Sequence, residues 1–556
     1  MFQINLYLTS LRVLAGFVIL YFTGCGSPAQ EADSIYYNGT VYTVDSAFTI
    51  HTAMAIKDGK VIATGTDAEI KEYRSDNKTD LQGKIVYPGF QDAHCHFYGY
   101  GNDLKKIWLT GTTSFEAILD TLKVNKSQQT GGWIIGRGWD QNDWSLKAYP
   151  DKKELDSLFP SIPVFLLRID GHAAIVNQMA LDKAGITAET EVQGGLVEKK
   201  NGKLTGLLID SAVDLVYGVI PVSSVEENIF SLLSAQADCF KVGLTSVTDA
   251  GVENTGLKTP LISLIDSLQK IGQLQMRINV MAAFEEYDHY KTNGKFRTDA
   301  LSVHSFKVYA DGAMGSRGAC MLEPYKDQPG HYGFLIFAPA KLDSIAKQIA
   351  LIGFQMNSHC IGDSSHRLML QIYEKHTSAL PDHRWRIEHA QVIHPEDLIY
   401  YKRNHIIPSM QPVHATSDMY WAQDRIGSER IKGAYALKLL MNQNNIIAAG
   451  SDFPVEHINP LYGFYAAVAR KDQHGFPEGG FMKENALSRE EALKAMTIWA
   501  AYAAFAEKET GSLEKGKKAD FVILEEDLMK VDEEKLWQLQ VYSTFINGKR
   551  VFQRGE

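Results

Sequence analysis

Six side chains scattered over most of the sequence have the types and placement of a single metal site. They are His94 and His96 in Gln-Asp-Ala-His-Cys-His, Lys307 in Phe-Lys-Val-Tyr-Ala-Asp-Gly, His359 in Asn-Ser-His-Cys-Ile-Gly-Asp, His389 in Arg-Ile-Glu-His-Ala-Gln, and Asp452 in Ala-Gly-Ser-Asp-Phe-Pro. Imidazole and carboxylate ligands suit zinc or another divalent metal, and a catalytic ion keeps one position open for water. Bound metal lowers the pKa of that water to about 7, which supplies hydroxide near neutral pH. Asp452 is then the candidate general base, orienting the water, taking its proton and passing it to a leaving group. A lone His-x-His also serves half-buried strands. Six ligand types in order along the chain point to a site.

Something must bring them together. Each lies at or near the end of a short apolar, β-branched run, where a strand hands over to its loop. Parallel (β/α) barrels build their chemistry at the C-terminal ends of several strands. The runs Ile85 to His96, Leu244 to Asp249, Arg277 to Ala283, Ser305 to Tyr309, Phe354 to His359, Arg384 to His389, Ile406 to Gln411 and Ile446 to Asp452 alternate with helix-like segments. Eight such strands predict an α/β fold, a closed (β/α)8 TIM barrel over residues 85–505. The gap after the first strand is too long for one βα unit. Residues from about 100 to 225 therefore read as an inserted subdomain over the barrel mouth, where long insertions shape a pocket.

Short alternating runs also fill residues 34–84, with Asp58-Gly59 as a hairpin signal, and return over 506–556. Neither piece is large enough for its own core, so the two termini are expected to form one small β-sandwich. On a strand, neighbouring side chains face opposite ways. Cys95 and Cys360 are thus expected to point into the helix layer, and Glu388 to face away from the site with a structural role. The four cysteines after Cys25 read as small buried hydrophobes without a disulfide.

The 556 residues are 45% hydrophobic and 22% charged, a globular composition, and the net charge of -10 gives no footprint for nucleic acid. Near the N-terminus, Arg12 precedes an apolar run from Val13 to Phe22 that leads into Thr23-Gly24-Cys25. The run is shorter than the ~20 apolar residues of a membrane-spanning helix and fits a signal-peptide core. Small residues before Cys25 resemble a bacterial lipobox, although Phe22 stands where Leu is usual. The expectation is a signal peptide over 1–25, lipidation of Cys25, a tether over 26–33, and a protein lipid-anchored in a bacterial cell envelope. An uncleaved anchor and a plain secretory signal are the alternatives.

The motifs together resemble the amidohydrolase superfamily, and within it the amidohydrolase-3 branch that includes N-substituted formamide deformylases. The resemblance covers nearly everything after the signal. It rests on Pro88-Gly-Phe-Gln-Asp-Ala-His-Cys-His96, Gly138-Trp-Asp-Gln-Asn142 followed by Trp144, Arg168-Ile-Asp-Gly-His172, Thr245-Ser-Val-Thr-Asp-Ala-Gly251, Lys307-Val-Tyr-Ala-Asp-Gly312, Gly315-Ser-Arg317, Arg386-Ile-Glu-His-Ala-Gln391, Gln411-Pro-Val-His-Ala-Thr-Ser-Asp418, Gly450-Ser-Asp-Phe-Pro454 and Gly511 to Asp520. Ser364-Ser365-His366 after Asp363, and Gly318, depart from the usual pattern.

The resemblance implies that Lys307 is carboxylated by carbon dioxide to a carbamate bridging two metals; an uncarboxylated Lys307 with one metal is the other reading. His172 and His414 stand as catalytic candidates that polarise a carbonyl or bind substrate. Trp139, Asp140, Asn142 and Trp144 either line the pocket or build the core of the insertion. Arg317 either clamps a substrate carboxylate or carbonyl or caps a loop. The expected activity is hydrolysis of a small-molecule amide-type C–N bond by metal-activated hydroxide. Deamination of a nitrogen heterocycle on the same site is the chemical alternative, and a non-catalytic binding or regulatory protein is the alternative from another class. A small-molecule substrate is the expected partner, and a homodimer is among the open oligomeric states.

Overall fold

A computed structural model describes residues 30–251 and 257–556. Cys25, the signal segment and half of the tether lie outside the described residues. Among the described residues, no helix is long and apolar enough to cross a membrane.

The centre is an eight-stranded parallel barrel: β1 (Phe90–Cys95), β2 (Leu244–Asp249), β3 (Arg277–Ala283), β4 (Leu301–Tyr309), β5 (Gln355–Cys360), β6 (Arg386–His389), β7 (Ile407–Met410) and β8 (Ala448–Ala449), paired in that order. The ring closes just past the end of β8. Asp452 N–H donates to the His94 carbonyl at 2.8 Å, and His96 N–H to the Phe453 carbonyl at 2.8 Å. Gly450 makes this approach possible, since a Cβ there would sit 2.6 Å from His94 N. Helices pack outside. The helix Val225–Lys241 opens with a Ser224/Glu227 capping box and buries Leu232, Ala235, Cys239 and Phe240 against the sheet.

The apolar run expected to be one strand, Ile85 to His96, is two. Ile85–Pro88 belongs to a different sheet, and the chain turns into the barrel at Gly89. A Cβ at Gly89 would lie 2.3 Å from Thr245 Oγ1, so no larger residue could hand the strand over here. That second sheet has six strands and carries Phe521–Leu524, Val541–Ile546 and Lys549–Gln553 from the far end of the chain. It faces a four-stranded sheet of residues between Ser34 and Asp80. Tyr36, Val41, Met54, Ile56, Val86, Phe521 and Phe545 form their shared core, with the Phe521 and Phe545 rings stacked at 4.2 Å.

Between β1 and β2 a six-stranded mixed sheet spans Ile107 to Asp210 and packs its own apolar layers. The four described cysteines are free. Cys95 and Cys360 pack in the layer between barrel and helices, as their strand positions require, whereas Cys320 is only half-buried.

Candidate metal centre

The C-terminal ends of the strands open into a cavity of about 640 Å³, walled on one side by the inserted sheet. Five of the six expected ligands line it: His96, Lys307, His359, His389 and Asp452. His94 lies beneath, fully buried. One ligand atom each from His94, His389 and Asp452 falls within 4.8 Å of the others, a spacing that can hold a metal ion. His96 joins through Asp452, its Nε2 being 3.1 Å from Oδ1, while His94 Nε2 is 3.4 Å from the same oxygen. Lys307 Nζ stands 3.1 Å from His94 Nε2, and the His359 ring lies 4.5 Å from that of His389.

The imidazole protons are set by what each ring touches on its far side. His94 Nδ1 meets the Glu388 carboxylate in a very short contact. Burial alone would raise the Glu388 pKa, but the Arg386 guanidinium and His94 hold it down at about 2, so the carboxylate is ionised and the proton sits on Nδ1. His96 Nδ1 lies 2.5 Å from the Gly251 carbonyl, which can only accept. On each ring Nε2 is then the atom that faces Asp452 Oδ1, an oxygen without a hydrogen-bond donor among the described residues, and Lys307 Nζ is also close to that of His94. His389 Nδ1 lies 2.9 Å from Gln411 Oε1, leaving its Nε2 for the same centre.

Glu388 thus corrects the expectation that it would face away. Strict alternation fails because His389 and Ala390 take left-handed backbone conformations, with φ of 67° and 43°. Glu388 keeps the inward face and His389, at the strand end, turns in as well. Asp452 is also left-handed, with φ 61°. Two ligand candidates in this sparsely populated region are backbone strain held in place by the surrounding structure.

Each expected catalytic histidine has a carboxylate behind it. His172, from the insertion, places Nδ1 2.6 Å from Asp210, and although burial lowers its pKa, that partner lifts it to about 9. His414 stands between Glu456, 3.0 Å from Nδ1, and Asp452, 3.6 Å from Nε2. Burial again works against the charge, and the two carboxylates raise it to about 10. Lys307 moves the other way, pushed down to about 8 chiefly by burial, with its Nζ 4.8 Å from the centre of the Tyr309 ring. Asp210, Glu456 and Tyr309 were not foreseen. Only Tyr309 carried a signal, two residues beyond Lys307 on the same strand face.

The insertion residues divide. Trp139 and Trp144 are core: both are buried, with their indole N–H groups donating to the Leu166 and Thr112 carbonyls at 2.8 and 3.0 Å. Asp140 is in the cavity wall, paired with buried Arg168. Asn142 lies outside the wall and accepts from Arg425 Nη2 at 2.8 Å, tying the insertion to the barrel loops. Arg317 likewise does not reach the cavity. It grips Asp327 through Nη2 at 2.8 Å and Nε at 3.2 Å, which makes it a loop clamp.

Comparison with known proteins gives a consistent result. A family model described as the amidohydrolase family matches residues 79–552. The chain is 32% identical to YtcJ of Bacillus subtilis, over 94% of this chain and 99% of that one. It is 24% identical to the N-substituted formamide deformylase of Arthrobacter pascens, again over 94% and 99%. Among solved structures, an uncharacterised metal-dependent hydrolase of Pyrococcus horikoshii matches with a TM-score of 0.74 at 28% identity, covering 90% of this chain and 99% of that chain.

Proposed function

This chain belongs to the amidohydrolase family, and from that premise we propose that it is a metal-dependent hydrolase cleaving an amide-type C–N bond of a small molecule. The observation that carries the reading is the arrangement at Asp452, where the Nε2 atoms of two histidines face a carboxylate oxygen and one ligand atom each from His94, His389 and Asp452 lies within 4.8 Å of the others. Lys307 already brings one cationic group to this cluster, and a divalent ion among His94, His389 and Asp452 would satisfy their nitrogen and oxygen donors with one species. The name of the formamide deformylase relative supports the C–N bond class. The cavity, at about 640 Å³, has the size of a small-molecule site.

His94, His389 and Asp452 would hold the ion, with His96 beside them, and this nitrogen and oxygen donor set suits zinc. When bound, the metal supplies an acidified water and an electrophile for the carbonyl oxygen. We further assign a carbamate to Lys307. Its amine, already brought towards neutrality by burial, would add to the carbon of carbon dioxide with loss of a proton, giving a carbamate whose oxygens would serve as further metal ligands.

The remaining steps belong to the chain's own groups. Burial would raise the Asp452 pKa, but the protonated His414 beside it holds it well below the usual carboxylate range. It stays ionised, accepts the proton of the attacking water, and returns that proton to the leaving nitrogen. His172 and His414, each kept protonated by its carboxylate partner, line the cavity and orient the substrate carbonyl.

Metal analysis combined with a panel of N-formyl and N-acyl amides tests the proposal. Turnover should fall on chelation, return with zinc, and drop ~100- to 10,000-fold in Asp452→Asn. No turnover by metal-replete protein on that panel overturns it, and ammonia release from amidine-type rings would redirect it to deamination. On sequence alone we also propose that lipid on Cys25 holds the enzyme to a bacterial envelope. Intact-mass analysis finding an unmodified N-terminus upstream of Cys25 would remove that part.

A further inference from the structure

Behind the metal centre, one buried charge has no ion-pair partner among the described residues. Arg470 follows the helix Pro460–Ala469 and is 0% exposed. Its Nε donates to the Phe481 carbonyl at 3.0 Å and its guanidinium lies 5.8 Å from the centre of the Phe481 ring, but neither Nη1 nor Nη2 makes a hydrogen bond among the described residues. The carboxylate that acts on it, Glu484, is exposed and forms no ion pair with it. Burial pushes Arg470 down to about 10, so the guanidinium remains charged near neutrality. An uncompensated buried charge is strongly unfavourable, and a native fold tolerates one only with a counter-ion or a function.

Arg470 lines a small cavity of about 10 Å³ together with Gln411, His389, His414 and Tyr435. The walls contain no carboxylate. The Tyr435 hydroxyl is committed to Asp418, to which it donates at 2.8 Å. Gln411 Nε2 is a second buried donor without an acceptor. A water there could accept two hydrogen bonds and would leave the charge uncompensated. We propose that this cavity binds a small monoanion, a halide of chloride size, between the Arg470 guanidinium and the Gln411 amide.

The site is coupled to the metal centre. A metal ion on His389 Nε2 leaves the proton on Nδ1, so Gln411 must present its oxygen to His389 and its amide nitrogen to the cavity. That part of the argument rests on the metal reading above. The orphaned Arg470 does not. An anion accepting from Gln411 Nε2 fixes the amide, and through it the His389 ring.

Crystals of the zinc-loaded protein soaked in sodium bromide, measured at the bromine and zinc edges, locate both ions independently. Thermal melts in sodium chloride and sodium gluconate at equal ionic strength supply the second readout. The expected result is a bromide peak beside Arg470 and a Tm several degrees higher in chloride, saturating at millimolar concentration and lost in Arg470→Met. A zinc peak without a bromide peak overturns the halide site and leaves the metal reading standing. Absence of zinc at His94, His389 and Asp452 overturns the metal reading, whatever the bromide map shows. A bromide peak with identical melts in the two salts means binding at crystal concentration only and also overturns the proposal. Should Arg470→Met fail to fold, the wild-type map and melts still decide.

Discussion

Glu388 on β6 reaches across the barrel bore to the Nδ1 proton of His94 on β1, and the same carboxylate neutralises Arg386 two residues before it. One buried anion therefore sets the tautomer of a ligand candidate and compensates a buried cation. Glu388→Gln should lower metal affinity about 10- to 100-fold, the usual cost of losing a partner behind a ligating histidine. It should also destabilise the fold by roughly 3–5 kcal/mol, because Arg386 is left buried without its counter-charge. Adding Arg386→Met should recover the stability but not the affinity. Competitive metal titration and denaturant melts of wild type and the two variants separate the two roles.

Lys307 distinguishes one metal from two. Lys307→Ala should reduce the ions bound per chain from two towards one, and added short carboxylates should partly restore the second. Lys307→Arg should not rescue activity, since a guanidinium stays charged and takes up no carbon dioxide. Wild-type protein holding a single ion, with the same stoichiometry in Lys307→Ala, would exclude the bridge.

Trp139 supports the pocket without touching its contents. Trp139→Ala should cost about 3–5 kcal/mol of stability through the cavity it leaves. In the fraction that remains folded, KM should stay within a factor of about two, whereas a substrate-contacting tryptophan would raise it far more. Kinetics below the melting temperature decide.

His304 gives the fold an acid limit. Burial first, then Lys295, Arg297, Arg386 and Arg384, push its pKa from 6.5 to about 3. In the unfolded chain it takes a proton below its ordinary pKa, while in the folded protein it stays neutral. Its contribution is therefore intact at pH 8 and is lost as pH falls between 6.5 and 3, at about 1.4 kcal/mol per pH unit. The stability difference between wild type and His304→Gln, followed by urea melts from pH 8 to 4.5, should shrink with that slope. A difference that does not change with pH would show that His304 titrates normally.

The ligand candidates could be read from the chain because a barrel repeats one local rule, an apolar run followed at its end by a polar group. The rule gives strand order and names His94, His96, Lys307, His359, His389 and Asp452. It fails where backbone geometry departs from the repeat. The left-handed turn at His389 hid Glu388, and the turn at Gly89 let one apolar run serve two sheets. Asp210 and Glu456 escaped notice because their roles arise only when distant segments meet. In the insertion, residue type could not separate wall from core. Trp139 and Trp144 became core because their indole protons bond backbone within the subdomain, while Asp140 is held in the wall by Arg168.

The pairing of Ile85–Pro88 with Phe521–Leu524 bears on the order in which the protein can be assembled. The segment leading straight into His94 and His96 leaves the ribosome early, yet its partner strand is among the last to be made. Until then Ile85–Pro88 has Thr40–Tyr42 beside it on one side only, and its other edge stays open. Asp452 is made long after both histidines, so a nascent chain stalled before it presents His94 and His96 without the carboxylate that completes the cluster.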